Sequence, residues 1–289
     1  MALNTAGLTV EGAEAATREA LALGIRHVDF HPGIERDGVA RVVAKAGREA
    51  LFLTTKIRKY KDEPPDPVAA AARASAQITD DLGVLGVPSV DVLLLRDSPS
   101  CEVMQAQWAV LEEALAAGRA RAIGVVNYCQ QALGCVLKTA KVTPAVNYYM
   151  LHPGMGPDAH GLRAFCEARG IRTFAYGPLG EPGPAPELLE SPALRRIAAA
   201  HSRSVPQVAL RWLAQGGNAV SVRPTVDFGL GKSACAGAAC RAGLEERVNA
   251  FGWSLTPAEM AEIDALTSPD GNPTLFSSPG CRGCFGCTA

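Results

Sequence analysis

The chain has 289 residues, 48% of them hydrophobic and 20% charged, with a formal net charge of −1. That is ample apolar material for a large core and excludes general disorder, while the near-zero charge gives no electrostatic basis for nucleic acid or an anionic membrane as partner. No apolar run approaches the roughly 18 residues needed to span a bilayer, and the opening MALNTAGLTV lacks the basic-then-apolar order of a secretory signal, so the expectation is a soluble, non-secreted protein of the cytoplasm or an organelle.

Taken in order, short apolar runs alternate with longer helical patterns. Strands are expected at Ile25–Phe30, Leu51–Thr55, Val90–Leu95, Ala122–Val126, Ala145–Tyr148, Thr173–Tyr176 and Ala219–Val222, with an eighth at Ala2–Thr5 almost at the first residue. They are continuously apolar rather than alternating, as parallel strands buried on both faces are. Between them lie helix signals. Asp66-Pro67 supplies a cap and a proline at the first helical position, and Ser204 to Gln207 and Thr256 to Glu259 read as capping boxes. Gly24 and Gly118 stand where helices should stop, and Trp108, Leu111 and Leu115 form one core-facing stripe.

Eightfold strand–helix alternation fits either a barrel or a doubly wound sheet. Asp29, Lys56, Arg96, Asn127, Tyr148, Tyr176 and Arg223 each fall at or just beyond the C-terminal end of a different strand. A barrel would bring them to one mouth, the face where barrel enzymes keep their chemistry, whereas an open sheet would spread them along an edge. No GxGxxG turn follows an early strand, and GLGKS (229–233) lacks the first glycine of a P-loop. The fold class expected is therefore α/β, a (β/α)₈ TIM barrel over residues 1–267, with a tail over 268–289.

Particular segments carry a resemblance. GIRHVDF (24–30), LFLTTK (51–56), GRARAIGVVNY (118–128), PAVNYYMLHP (144–153), AYGPLG (175–180) and VPQVALRWLAQGG (205–217) resemble, in order, the motifs of the aldo-keto reductase family. The resemblance implies an NADP(H)-dependent oxidoreductase acting on a small-molecule carbonyl or alcohol. It implies that Asp29 and Lys56 are the catalytic aspartate and lysine and that Asn127 hydrogen-bonds the nicotinamide amide. It further implies that Tyr176 stacks on the nicotinamide ring and that Arg223 stands where a lysine often holds the 2′-phosphate. Thr5, Tyr148 and Leu179 join the cofactor-binding set on the same ground. Arginine grips phosphate through two parallel hydrogen bonds, so Arg223 suits NADP(H).

The chain departs from the pattern in places that matter. The proton-donating tyrosine, five residues after the aspartate, is Ile34; the histidine that should follow the fourth strand is Arg96; the glutamine after Asn147 is Tyr148. Isoleucine has no proton to give, and arginine stays protonated, so Arg96 could stabilise an alkoxide but would be a poor acid. Arg96-Asp97 also reads as a local charge pair, and Asp29–Lys56 as a buried ion pair without catalysis. His31, Tyr148 and Tyr149 are the conceivable surrogate acids; His27 and His152 read as packing residues. The family's N-terminal hairpin has no counterpart in this sequence, so the expectation is either a protein partner covering the barrel bottom or a sequence that is part of a longer chain, and the loop after Arg223 looks some fifteen residues longer than usual.

Nine cysteines remain. Cys101, Cys129, Cys135, Cys166, Cys235 and Cys240 are scattered and read as buried free thiols. Cys281, Cys284 and Cys287 have iron–sulfur or zinc spacing but no fourth ligand, so no metal is expected there. Two functions therefore compete: a diverged oxidoreductase, its standard activity weak or lost, and a non-catalytic structural or regulatory subunit, a pseudoenzyme that keeps the barrel. A metal-binding module stands well behind both.

Overall fold

The computed structural model of the protein describes residues 1–58, 66–98, 100–156, 158, 161–180, 186–224 and 237–266. The strands are β1 (Ala2–Asn4), β2 (His27–Asp29), β3 (Phe52–Lys56), β4 (Val90–Arg96), β5 (Ala120–Val126), β6 (Val146–Met150), β7 (Arg172–Tyr176) and β8 (Ala219–Val222). Each pairs in parallel with the next, and β8 pairs back onto β1 through Ala2↔Ser221 and Leu3↔Val222, so the barrel is closed. Among the described residues the helices are α1 (Val10–Ala22), α2 (Ile34–Ala46), α3 (Pro67–Leu85), α4 (Cys101–Ala116), α5 (Gln130–Leu137), α6 (Leu162–Glu167), α7 (Pro186–Glu190), α8 (Pro192–Ala200), α9 (Val205–Gln215), α10 (Gly237–Val248) and α11 (Pro257–Asp264).

The strands read as unbroken apolar runs because each serves two cores. In β4, Leu93 and Leu95 pack outward with Trp108 and Leu111 of α4, while Leu94 packs inward with Ala2, Val126, Tyr148 and Phe174. Each fully buried leucine contributes about 1.5–3 kcal/mol relative to exposure. The interior is narrow. A Cβ on Gly124 of β5 would stand 2.6 Å from the Val146 carbonyl oxygen and 2.9 Å from Leu94 Cδ2, so only glycine fits there.

The expected caps form. Asp66 accepts from the Ala69 N–H at 2.8 Å, and Ser204 and Thr256 close capping boxes on α9 and α11. Gly118, with φ of 69°, turns the chain out of α4 toward β5. At the N-terminal strand ends, Phe52 is 41% exposed, its ring edge-on to His27 at 4.5 Å between centroids.

Two expectations are corrected. Strand β6 continues through Tyr149 to Met150, which pair with Ala175 and Tyr176 of β7; Tyr148 is thus a mid-strand residue facing inward. The scattered cysteines are not all free thiols. The start of α4 and the body of α5 bring Cys101 and Cys135 to 5.9 Å between Cα atoms, within disulfide range, and they are bonded. Cys129 and Cys240 are disulfide-bonded too, and Cys166 is the free cysteine among the described residues. The expectations for the long loop, GLGKS, Cys235 and the cysteine tail fall mainly at 225–236 and 267–289, outside the described residues.

Candidate active site

Asp29, Lys56, Arg96 and Tyr176 are the last residues of β2, β3, β4 and β7; Asn127 and Arg223 immediately follow β5 and β8. All share the C-terminal mouth of the barrel. There, Lys56 Nζ is ion-paired with Asp29 and donates to the Phe30 carbonyl at 3.3 Å, both side chains being buried.

The Asp29 carboxylate is held from several strands at once. Its Oδ2 accepts from the Tyr148 hydroxyl at 2.6 Å, the Ser221 hydroxyl at 2.7 Å and Asn4 Nδ2 at 3.2 Å. Asn4 Nδ2 also donates to the Tyr148 hydroxyl at 3.1 Å. Burial pushes the Asp29 carboxyl up, but the charges of Lys56 and His31 and the donated hydrogen bonds outweigh it and hold it below the usual aspartate value. Burial in turn draws Lys56 below the ordinary lysine value, against the attraction of Asp29. Tyr148 is fixed as a clasp on Asp29. Burial raises its phenol well above 10, and the Asp29 charge adds to that, so this hydroxyl is a poor acid.

The loop after β2 explains the fate of the tyrosine position. Glu35 turns inward and is 5% exposed, while Ile34, at the first helical position of α2, is 57% exposed. Burial raises the Glu35 carboxyl above its ordinary value, against the backbone N–H groups of the loop around it. Its Oε1 lies 3.8 Å from Nδ1 of His31. Burial lowers the His31 imidazole well below 6.5, and Lys56, Arg96 and Arg223 push the same way against Asp29. His31 is half-buried on the loop that leads to Ile34, while Tyr149 faces outward, its hydroxyl against Thr173 Oγ1 at 2.9 Å.

On the cofactor side, Tyr176 is half-buried and donates to Asn127 Oδ1 at 2.9 Å, and Asn127 holds a left-handed φ of 60°. A non-glycine residue in that conformation is strained backbone of the kind functional sites retain. Thr5 is fully buried with no hydrogen-bond partner for its hydroxyl, and Leu179 is 8% exposed. Arg223 is half-buried. Arg96 and Asp97 do not pair: Arg96 follows the inward register of Leu94, and it forms no ion pair among the described residues. Among those residues no group of three His, Cys, Asp or Glu side chains could hold a metal.

The sequence profile of the aldo/keto reductase family matches residues 1–268. The chain belongs to the aldo/keto reductase family. A 7-acetyl-epi-neemfruitin B aldo-keto reductase of Melia azedarach is 31% identical over 278 residues, which cover 87% of this chain and 79% of that one. An aldo/keto reductase structure from Brucella melitensis superposes with a TM-score of 0.77 at 28% identity, covering 92% of each chain. A mutant of Gox0644 in complex with NADPH gives 0.75 at 26% identity, over 94% of this chain and 90% of that one. The protein is thus a family oxidoreductase barrel, and no described helix is long and apolar enough to cross a membrane.

Sequence reasoning found the mouth but missed what fastens it. Asn4, Glu35 and Ser221 were not anticipated; the signal available was a polar residue on the inward register of an otherwise apolar strand, as Ser221 is in AVSV.

Proposed function

We propose that this aldo/keto reductase is an NADP(H)-dependent oxidoreductase that interconverts a small-molecule carbonyl and its alcohol, with turnover limited by proton supply. The observation that carries the reading is the buried Asp29–Lys56 ion pair at the barrel end that also holds Asn127, Tyr176 and Arg223. The chain's residues fit the cofactor. Thr5 has a buried hydroxyl without a partner, Asn127 is held in a strained conformation, and Tyr176 offers a half-buried ring for stacking. Thr5, Tyr148 and Leu179 complete the proposed cofactor-binding set, and Arg223 suits the 2′-phosphate.

When bound, NADPH supplies a hydride. Lys56, kept in place by Asp29, stabilises negative charge on the carbonyl oxygen as it becomes an alkoxide. The proton is the weak point. Ile34 cannot donate one, Tyr148 is committed to Asp29, and His31, which burial keeps neutral at neutral pH, has a proton to give only under acid conditions. Losing general-acid help costs about 10²–10⁴ in rate. Slow reduction of 4-nitrobenzaldehyde is therefore expected, followed by NADPH absorbance. The double substitution Ile34→Tyr with Arg96→His should raise that rate ~10-fold or more. Brisk native turnover abolished by His31→Ala would instead show that the surrogate is fully effective.

The same two observations, Ile34 without a hydroxyl and Tyr148 engaged elsewhere, favour a second reading as a non-catalytic subunit. Absence of NADPH binding in a fluorescence titration would decide for it.

A further inference from the structure

We infer that Arg96 is an anchor for a carboxylate on the substrate, so that the carbonyl compound taken by this site is an oxo acid. The inference rests on the oxidoreductase reading above and names its substrate class. Arg96 ends β4 on the face of that strand that points into the barrel: Leu94, two residues earlier, packs against Tyr148 and Phe174 of the interior. In the strand register Lys56 stands beside Leu94, so Arg96 rises about 7 Å further toward the mouth, one same-face step above the ion pair. Its charge is felt by both Lys56 and His31.

The two cations have different circumstances. Lys56 has Asp29 as counter-ion, whereas Arg96 has none within ion-pair distance among the described residues, and its Nε is buried without a hydrogen-bond partner. A buried guanidinium edge without an acceptor is costly, and a carboxylate meets it with two parallel N–H···O bonds. Asp97, the next residue, lies on the opposite face of the strand register, and Glu35 stands 3.8 Å from His31. A bound substrate carboxylate is the group that would complete Arg96. With the carboxylate there and the carbonyl oxygen at Lys56, the two functions must lie a few bonds apart, as in 2-oxo and 3-oxo acids or an aromatic aldehyde acid.

The test compares matched pairs on the full chain: 4-carboxybenzaldehyde against 4-nitrobenzaldehyde, and a 2-oxo acid against its methyl ester. Binding is read by calorimetry with and without NADPH, so the result does not depend on turnover. The native protein should favour the anionic member of each pair about 10–100-fold, the range of charge-assisted hydrogen bonds. Arg96→Gln should abolish the preference, and Arg96→Lys, which keeps charge but not the planar fork, should restore part of it. Equal affinity for both members in the native protein, or a preference that survives Arg96→Gln, would overturn the inference. NADPH binding without anion preference would sink this inference alone; anion preference without NADPH binding would sink the cofactor reading alone.

Discussion

At the scale of single residues, the mouth is a set of side chains with separate duties. Arg223 stands just beyond β8, the strand that pairs with β7 and its Tyr176, and on the proposed reading a guanidinium there would distinguish the two nicotinamide dinucleotides by their 2′ substituent. Arg223→Ala should weaken NADPH binding about 10–100-fold and change NADH binding little, as read by fluorescence titration; equal losses for both would remove Arg223 from the phosphate. Most of these residues were legible, because each ends a strand and the mouth collects strand ends. Tyr148 was the exception. Its apolar neighbours Tyr149 and Met150 extend β6 past the expected end, which turns a rim residue into an interior one. Glu35 was illegible because a charged residue in the first turn of a helix reads as solvent-facing, and only the folded loop buries it.

Among elements, α4 and α5 are joined by more than packing. The Cys101–Cys135 disulfide closes a loop of 34 residues, and constraint of an unfolded chain over that length is worth on the order of 3–4 kcal/mol. The double variant Cys101→Ser, Cys135→Ser should melt roughly 6–16 °C lower by differential scanning calorimetry, since each kcal/mol shifts a domain of this size by about 2–4 °C. An unchanged midpoint would show that helix packing alone fixes this corner. Strands and caps could be read from the chain because their signals are local. Asp66, Ser204 and Thr256 cap the helices they precede. The disulfide could not be read, since its partners meet only when consecutive strand–helix units are laid side by side.

For the whole molecule, a partly buried histidine sets an acid limit on stability. His27 stands at the N-terminal end of β2, its Nε2 2.7 Å from Thr54 Oγ1 and its ring between Phe52 and Phe174. Burial pushes its imidazole down to about 4 from 6.5, with Asp29 opposing. A histidine with a depressed folded value binds its proton first in the unfolded chain. Its neutral burial is therefore free of cost above about pH 6.5 and costs progressively more as pH falls toward 4, about 3 kcal/mol in all. Urea unfolding should show stability declining across that window, and His27→Gln should flatten the slope. A native profile flat from pH 7 to 4 would contradict the burial.

The grip on Asp29 also dictates an order of assembly. Its hydrogen-bond partners lie 25, 27, 119 and 192 positions away along the chain, in β1, β3, β6 and β8. Contacts between such remote positions form late, after the intervening units have folded. An intermediate holding only the first half of the barrel would present Asp29 with Lys56 but without the Tyr148 and Ser221 hydroxyls. The finished carboxylate environment comes into being only when β8 reaches β1, so building the site and closing the barrel are one event.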